Sequence, residues 1–543
     1  MSRHEQPIGT FCLVLHSHLP WLARHGAWPV GEEWLYQAWA GSYLPVVDLL
    51  RTLADEGRRD VLTLGVTPVL AAQLDDPYCL RGMHDWLGGW LLRAHGAAGR
   101  AHGRWRDPPL GRVAADEHRR ATAALVDFEA RWRHGGSAVL RPLVDDGVIE
   151  LLSGPATHPF QPLLGERVRA FSLDVGLSDT ARRLGSRPTG IWAPECGYAP
   201  GMEDGYTAAG VRRFLVDGPA LRGDTAFART VGDSDVVCFG RDLPVTYRVW
   251  SPRSGYPGGR AYRDFHTYDH QSGLKPARVT GRGVPSFHKK PYDADLAAAA
   301  VRRDAADFVR VVRNRLTELA AEHGRPALVV AAYDTELFGH WWFEGPGWLA
   351  EVLRALPEVG VRVSTLGGAL EAGGLGGPVV LPASSWGSGK DWRVWDGERV
   401  APLVASGWDV QRDLLRAVDA AVSGSTPPRA GRSPGLDGLA RQALLALSSD
   451  WAFMVTKDSA AEYALARARS HASEVAELAA LLTAERPTEA ARLVAELDRR
   501  DTLFGHLDAR GLAAVVPAAD SGRVLDSVRD SEHAAGSSVL SGR

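Results

Sequence analysis
Two short apolar runs in this chain each lead into a carboxylic acid set among aromatic residues. One is Ile191-Trp192-Ala193-Pro194-Glu195-Cys196-Gly197-Tyr198. The other runs from Ala327 to Tyr333-Asp334-Thr335-Glu336 and on to Leu337-Phe338-Gly339-His340-Trp341-Trp342. A strand that ends in a charged residue usually meets solvent or a cleft there, and Trp and Tyr offer flat apolar faces to sugar rings. Two carboxyls converging across such a cleft are the apparatus of glycosidic-bond chemistry. An ionised Glu195, in the turn made by Pro194 and Gly197, suits a nucleophile. Asp334 suits a proton donor, because an apolar surround raises a carboxyl pKa toward neutrality. Glu336 competes with it for that role, whereas Glu344 reads as a cap of the following helix.

A second constellation, His16-Ser17-His18-Leu19-Pro20-Trp21, follows the first apolar run. Positions i and i+2 of an extended chain share a face, so both imidazoles can point into one cleft. They could contact a sugar or hold a transition metal. A catalytic zinc site needs a third protein ligand, which His158 in Ala156-Thr157-His158-Pro159-Phe160 could supply.

The elements that must position these groups are short β-type runs alternating with longer helical stretches, the pattern of a parallel sheet. Candidate strands are residues 11–15, 61–66, 148–152, 190–193, 213–216, 236–239 and 328–332, nearly all followed by polar or turn residues. Parallel β/α barrels place their active sites at these C-terminal strand ends. An α/β barrel of irregular strand number fits better than an open dinucleotide-binding sheet, since no G-x-G-x-x-G follows the first strand. Residues 75–145 read as a helical insertion into a catalytic barrel spanning 1–400. The aperiodic stretch 251–291 reads as a functional loop. Residues 401–515 read as an α-helical C-terminal domain, interrupted by a Pro/Gly/Ser-rich linker at 424–438, and 516–543 as a disordered tail.

Composition narrows the partners. Over 543 residues the net charge is only −3, which leaves no basic field for nucleic acid and no polybasic membrane anchor. No segment has the apolar length of a membrane span, and the N-terminal apolar run is too short for a signal peptide. Four scattered cysteines form no C-x-x-C pair, in keeping with a reducing compartment, so a cytoplasmic protein is expected. Trp (18) outnumbers Phe (14) and Tyr (12), and many of these tryptophans lie beside Gly, His or acids, as a carbohydrate cleft needs.

Five blocks, in order, resemble glycoside hydrolase family 57, and within it the 1,4-α-glucan branching enzymes. They are His-x-His-x-Pro-Trp at 16–21, Ala-Thr-His-x-Phe at 156–160, Trp-Ala-Pro-Glu-Cys-Gly-Tyr at 192–198, Tyr-Asp-Thr-Glu-Leu-Phe-Gly-His-Trp-Trp at 333–342 and Ser-Ser-Asp-Trp at 448–451. The resemblance implies a distorted (β/α)7 barrel and a retaining mechanism with neither metal nor cofactor. Glu195 would be the nucleophile and Asp334 the general acid/base, with their carboxyls roughly 5–5.5 Å apart. It further implies substrate contacts by His16, His18, Trp21, His158, Arg263, Gly273 (with Gly281 competing), His340, Trp386, Trp395 and Asp450. The implied partner is an α-glucan such as amylose or glycogen, acted on by a monomer or small homo-oligomer. Related α-amylase-like hydrolases and 4-α-glucanotransferases are the alternative activities. Branching members carry a loop tyrosine after the strand that follows the nucleophile. Here residues 218–235 contain no Tyr, and Phe227 is their only aromatic, so Phe227 is expected to shield the site in its place.

Overall fold
The computed structural model describes residues 6–102, 108–251, 254–423 and 432–513; the expected tail and the first part of the expected linker lie outside them. The sheet is built around β1 (Gly9–Ser17), every residue of which is buried. On one edge it pairs in parallel with β7 (Ala327–Asp334). On the other, β2 (Leu62–Val66) takes its C-terminal half and β8 (Val361–Ser364) its N-terminal half. Next to β2 lies β3 (Ile149–Leu152), again parallel. A second sheet joins β4 (Arg213–Asp217) in parallel to β6 (Val237–Arg241), with the short β5 (Arg229–Thr230) antiparallel on β6.

The two sheets meet on both sides. Parallel bridges Ser153–Ile191 and Gly190–Arg213 insert the 190–193 run between β3 and β4. Beyond β6, the Asp242 amide donates to the Val330 carbonyl of β7 at 2.8 Å. Seven parallel members therefore curl into a distorted (β/α)7 barrel, as expected. The run at 190–193 makes bridges rather than a ladder, because Gly190 weakens it and Pro194 has no amide to continue it. The sequence pattern missed β5, which is only two residues long, and β8, whose Val361 and Val363 alternate with Arg362 and Ser364 and so form no continuous apolar run.

Helices clothe this ring. The longest, Ala294–His323, starts where Asp293 accepts from the Asp295 and Leu296 amides and stops at left-handed Gly324. Its Phe308 meets Phe11 of β1 edge-on at 5.8 Å. Gly9 is required here, because a Cβ would sit 2.8 Å from both the Ala327 carbonyl oxygen and Leu316. Between β2 and β3 the chain forms helices Pro77–His102, Pro108–Arg131 and Gly136–Asp145. The C-terminal region is helical from Ala401–Ser423 to Pro487–Arg500. Part of the expected linker is a helix start: Ser433 caps Pro434–Ala446 by accepting from the Leu436 amide, with Pro434 at the first position. Among the described residues no helix is long and apolar enough to cross a membrane.

Candidate active site
At Pro194 the chain leaves the barrel wall through one tight turn, Pro194–Cys196. Glu195 (φ 63°) and Cys196 (φ 50°) are both left-handed there. Such backbone costs on the order of 1–3 kcal/mol per residue and persists only where neighbours fix it. Three 2.8 Å bonds do so: Cys196 N to Ala193 O, Gly197 N to Pro194 O, and Trp386 N to Glu195 O. Phe160 packs so closely on Gly197 that a Cβ would lie 2.6 Å from its ring. The turn aims a buried carboxylate at two donors, Trp386 Nε1 (2.8 Å, to Oε2) and Ser449 Oγ (2.9 Å, to Oε1).

Behind Ser449 stands a chain of imidazoles. His16, on β1, lies flat on Trp192 at 4.3 Å, and its Nε2 is 3.1 Å from His158 Nε2. His158 Nδ1 is 2.9 Å from Ser449 Oγ. Burial holds both imidazoles well below their usual range, so both are neutral at pH 7. The proton directions then follow from Glu195. An ionised carboxylate only accepts, so Ser449 donates to it, His158 Nδ1–H donates to Ser449, and His16 Nε2–H donates to His158. The remaining nitrogen, His16 Nδ1, is a lone pair with no hydrogen-bond partner. The relay favours the charged form of Glu195.

His18 stacks on His158 at 3.7 Å, with Nδ1 3.0 Å from Thr67 Oγ1 and Nε2 3.0 Å from Asp450 Oδ2. Burial opposes its protonation, but the Asp450 carboxylate outweighs burial and raises its pKa. Asp450 is held below its ordinary range against its own burial, chiefly by His18. His18, His158 and Asp450 lie close enough together for a cation. The four imidazole nitrogens of that trio are nevertheless all engaged, and a metal would have to break the relay or the ion pair. Prolonged dialysis against EDTA is therefore expected to leave turnover unchanged. Loss of activity with release of a stoichiometric metal would convert these residues into ligands.

Asp334 ends β7 directly beside His16 in register. The following residues are clamped by a one-turn π-helix, Trp39–Tyr43. Ser42 Oγ donates to the Thr335 carbonyl at 2.6 Å, and the Tyr43 hydroxyl donates to Glu336 Oε1, which also accepts from the His18 amide at 3.2 Å. The two loops touch backbone to backbone. A Cβ at Gly339 (φ +106°) would lie 2.0 Å from the Gly41 carbonyl oxygen. Arg241, at the end of β6, donates to Asp217 at 2.8 Å and lies against the Trp386 ring.

Burial pushes Glu195 up to about 7, opposed by its Trp386 and Ser449 donors, and Asp334 up to about 6, opposed by Arg241 and His18. Glu336 rises further, to about 8, through burial and then the Asp334 charge. Retaining chemistry needs one proton between the Glu195 and Asp334 pair, held on Asp334 while Glu195 is ionised. The expected pH profile of kcat/KM is a bell. Activity falls as pH drops below about 6, when the pair becomes doubly protonated, and falls as pH rises above about 7, when it loses its last proton. A plateau extending beyond pH 9 would contradict this assignment.

The other expected contacts are spread more widely. Trp21 and Trp395 are buried, and Trp395 lies flat on Phe160 at 4.8 Å, behind the Gly197 turn. His340 lies past the Asp334 turn against Phe265, and its pKa is lowered to about 3 by burial and then by Lys275. Arg263 is buried between Phe343 and Tyr292 and paired with Glu117 of the insertion. Gly273 (φ +72°) sits at an open turn, and a Cβ on Gly281 would meet only Val284. The expectation for Phe227 fails. It is 4% exposed, packed under Arg325 and His323 beside the start of β7, at the end of the barrel opposite Asp334. Tyr256 is also internal, donating to Asp307 and packed near Trp348. Sequence reasoning overlooked Ser449, though it stood in the Ser-Ser-Asp-Trp block, and Arg241, which lies just past the strand run at 236–239.

A parallel β/α barrel with two carboxyls at its strand ends, one of them buried, strained and served by an indole and a hydroxyl, defines a glycosidic-bond-processing enzyme. Residues 12–254 match the model for glycosyl hydrolase family 57, and 413–511 the one described as 1,4-alpha-glucan branching enzyme, C-terminal. A Mycobacterium tuberculosis protein named as a probable 1,4-alpha-glucan branching enzyme is 57% identical, over 94% of this chain and 100% of its own. The 1,4-alpha-glucan branching enzyme of Thermococcus kodakarensis is 32% identical, over 91% and 77%. Among solved structures, the GH57-type branching enzyme of Pyrococcus horikoshii superposes with TM-score 0.86 at 30% identity, over 94% of this chain and 98% of that one. The alpha-amylase AmyC of Thermotoga maritima gives 0.82 at 25%, over 94% and 100%. The chain belongs to glycosyl hydrolase family 57.

Proposed function
We propose that this protein is a 1,4-α-glucan branching enzyme that acts by retention. Glu195 attacks the anomeric carbon of an α-1,4-linked glucose while Asp334 gives its proton to the departing O4, leaving a glycosyl ester on Glu195. Asp334 then takes the proton of an acceptor 6-hydroxyl, whose oxygen displaces Glu195 and forms the α-1,6 branch. His16, His158 and Ser449 hold the nucleophile, and His18, Trp386 and Asp450 line the donor sugar's pocket. The barrel at 1–400 carries the acids, and the helical domain at 401–515 completes the cleft. The four described cysteines are all free and buried, which suits a reducing cytoplasm.

The observation that carries this reading is the donor shell of Glu195. Its Ser449 donor comes from the 413–511 region that matches the branching-enzyme C-terminal model, so this region takes part in the chemistry. The test is amylose incubated with the protein, then debranched with isoamylase. New short chains and an α-1,6 anomeric signal in the proton NMR spectrum are expected. Reducing ends without new branches would establish an α-amylase instead, a reading favoured by the AmyC likeness and by the missing loop tyrosine. Redistributed α-1,4 chain lengths alone would establish a 4-α-glucanotransferase.

A further inference from the structure
Large aromatic faces are rarely left in water without a reason, yet three gather where β6 and β7 end. The short helix Leu243–Val249 follows β6 and carries Tyr247, 41% exposed; Trp250, at its end, is 45% exposed. Three positions apart, they share one helix face. Trp341, 37% exposed, follows Asp334, and its ring lies 5.9 Å from that of Trp250, tilted by 36°. The Trp341 amide donates to the Glu336 carbonyl at 3.1 Å, and the Tyr333 hydroxyl donates to the Thr246 carbonyl at 3.4 Å. Both indoles are thus tied to the backbone flanking Asp334. At the other end, Tyr247 faces Lys390, which pairs with Asp217 at 2.6 Å in the same segment as Trp386. An aromatic rim therefore runs from the nucleophile's indole donor to the far side of Asp334.

We propose that Trp250 and Trp341, with Tyr247 beside them, form the platform on which the acceptor glucan chain lies. The inference rests on the roles given to Glu195 and Asp334. The acid/base must touch the departing oxygen first and the incoming 6-hydroxyl second, so the acceptor has to approach on the Asp334 side. Stacked pyranose faces on two indoles would hold that hydroxyl near the glycosyl ester and displace competing water, favouring transfer over hydrolysis.

The test compares Trp250→Ala, Trp341→Ala and the double variant with wild type on amylose. It counts new α-1,6 linkages per reducing end released and checks folding by thermal melting. The ratio is expected to fall roughly fivefold or more in each single variant while reducing ends are still released. Trp250→Tyr and Trp341→Phe, which keep an aromatic face, should recover most of it. An unchanged ratio in the double variant would overturn the proposal. So would transfer and hydrolysis falling in equal proportion, because that would put the indoles on the donor side or in a structural role. Asp334→Asn separates the underlying reading: if it left both reactions intact, the Asp334 assignment would fail whatever the tryptophan variants did.

Discussion
Glu195→Gln is expected to lower glucan transfer and hydrolysis together by roughly 10⁴-fold or more, the scale of losing a covalent nucleophile. The amide fits the same space, so the loss should be chemical. Trp386 Nε1 can only donate, which forces the amide oxygen toward it and the amide nitrogen toward Ser449 Oγ. Ser449 can reverse and accept, so the turn survives and the melting temperature should hold. Added azide should restore turnover of a donor with a good leaving group. It would enter the space vacated by the carboxylate and give a product of inverted, β configuration. Retention of more than a tenth of wild-type activity would remove Glu195 from its role.

Much of this site could be read in the sequence because catalytic acids at strand ends leave a local mark: an apolar run, a turn residue and an aromatic neighbour. Glu195, Asp334 and the His16 and His18 pair all carry it. Barrel topology was legible for the same reason, since each buried parallel strand is a continuous apolar run. What escaped is what depends on the third dimension. Ser449 gains its importance from a docking contact, in which its amide donates to the His158 carbonyl at 3.0 Å and lays the start of one helix across the loop after β3. No spacing along the chain encodes that approach. Phe227 failed in the opposite way. Its place in a loop near the nucleophile's strand suggested the cleft, but that loop returns to the start of β7, where the Leu328 amide donates to the Ala226 carbonyl at 2.8 Å. Adjacency in sequence to a strand does not say which end of the barrel a loop covers. Arg263 belongs to a third kind: a charged residue in an aperiodic loop, neutralised by Glu117 of an insertion whose position the local pattern does not fix.

Asp334→Asn should cost roughly 10²–10⁴-fold on amylose, whose O4 cannot leave without a proton, and far less on a donor with a good leaving group. With such a donor the first step still proceeds while the second, which needs Asp334 as base, stalls. A covalent glycosyl-enzyme should therefore accumulate and be visible by mass spectrometry on the peptide containing Glu195. Azide would intercept it from the face opposite the ester and give a product of retained, α configuration, the reverse of the Glu195 variant. Glu336 is the control, since it was the rival for this role. It is buried beneath Tyr43 and the His18 amide, and burial above all raises its pKa to about 8. Glu336→Gln resembles its protonated form and should cost less than roughly tenfold. If the larger loss instead fell on Glu336→Gln, and Asp334→Asn gave no trapped ester, the proton donor would be Glu336. Asp334 would then serve only to raise the pKa of its neighbour.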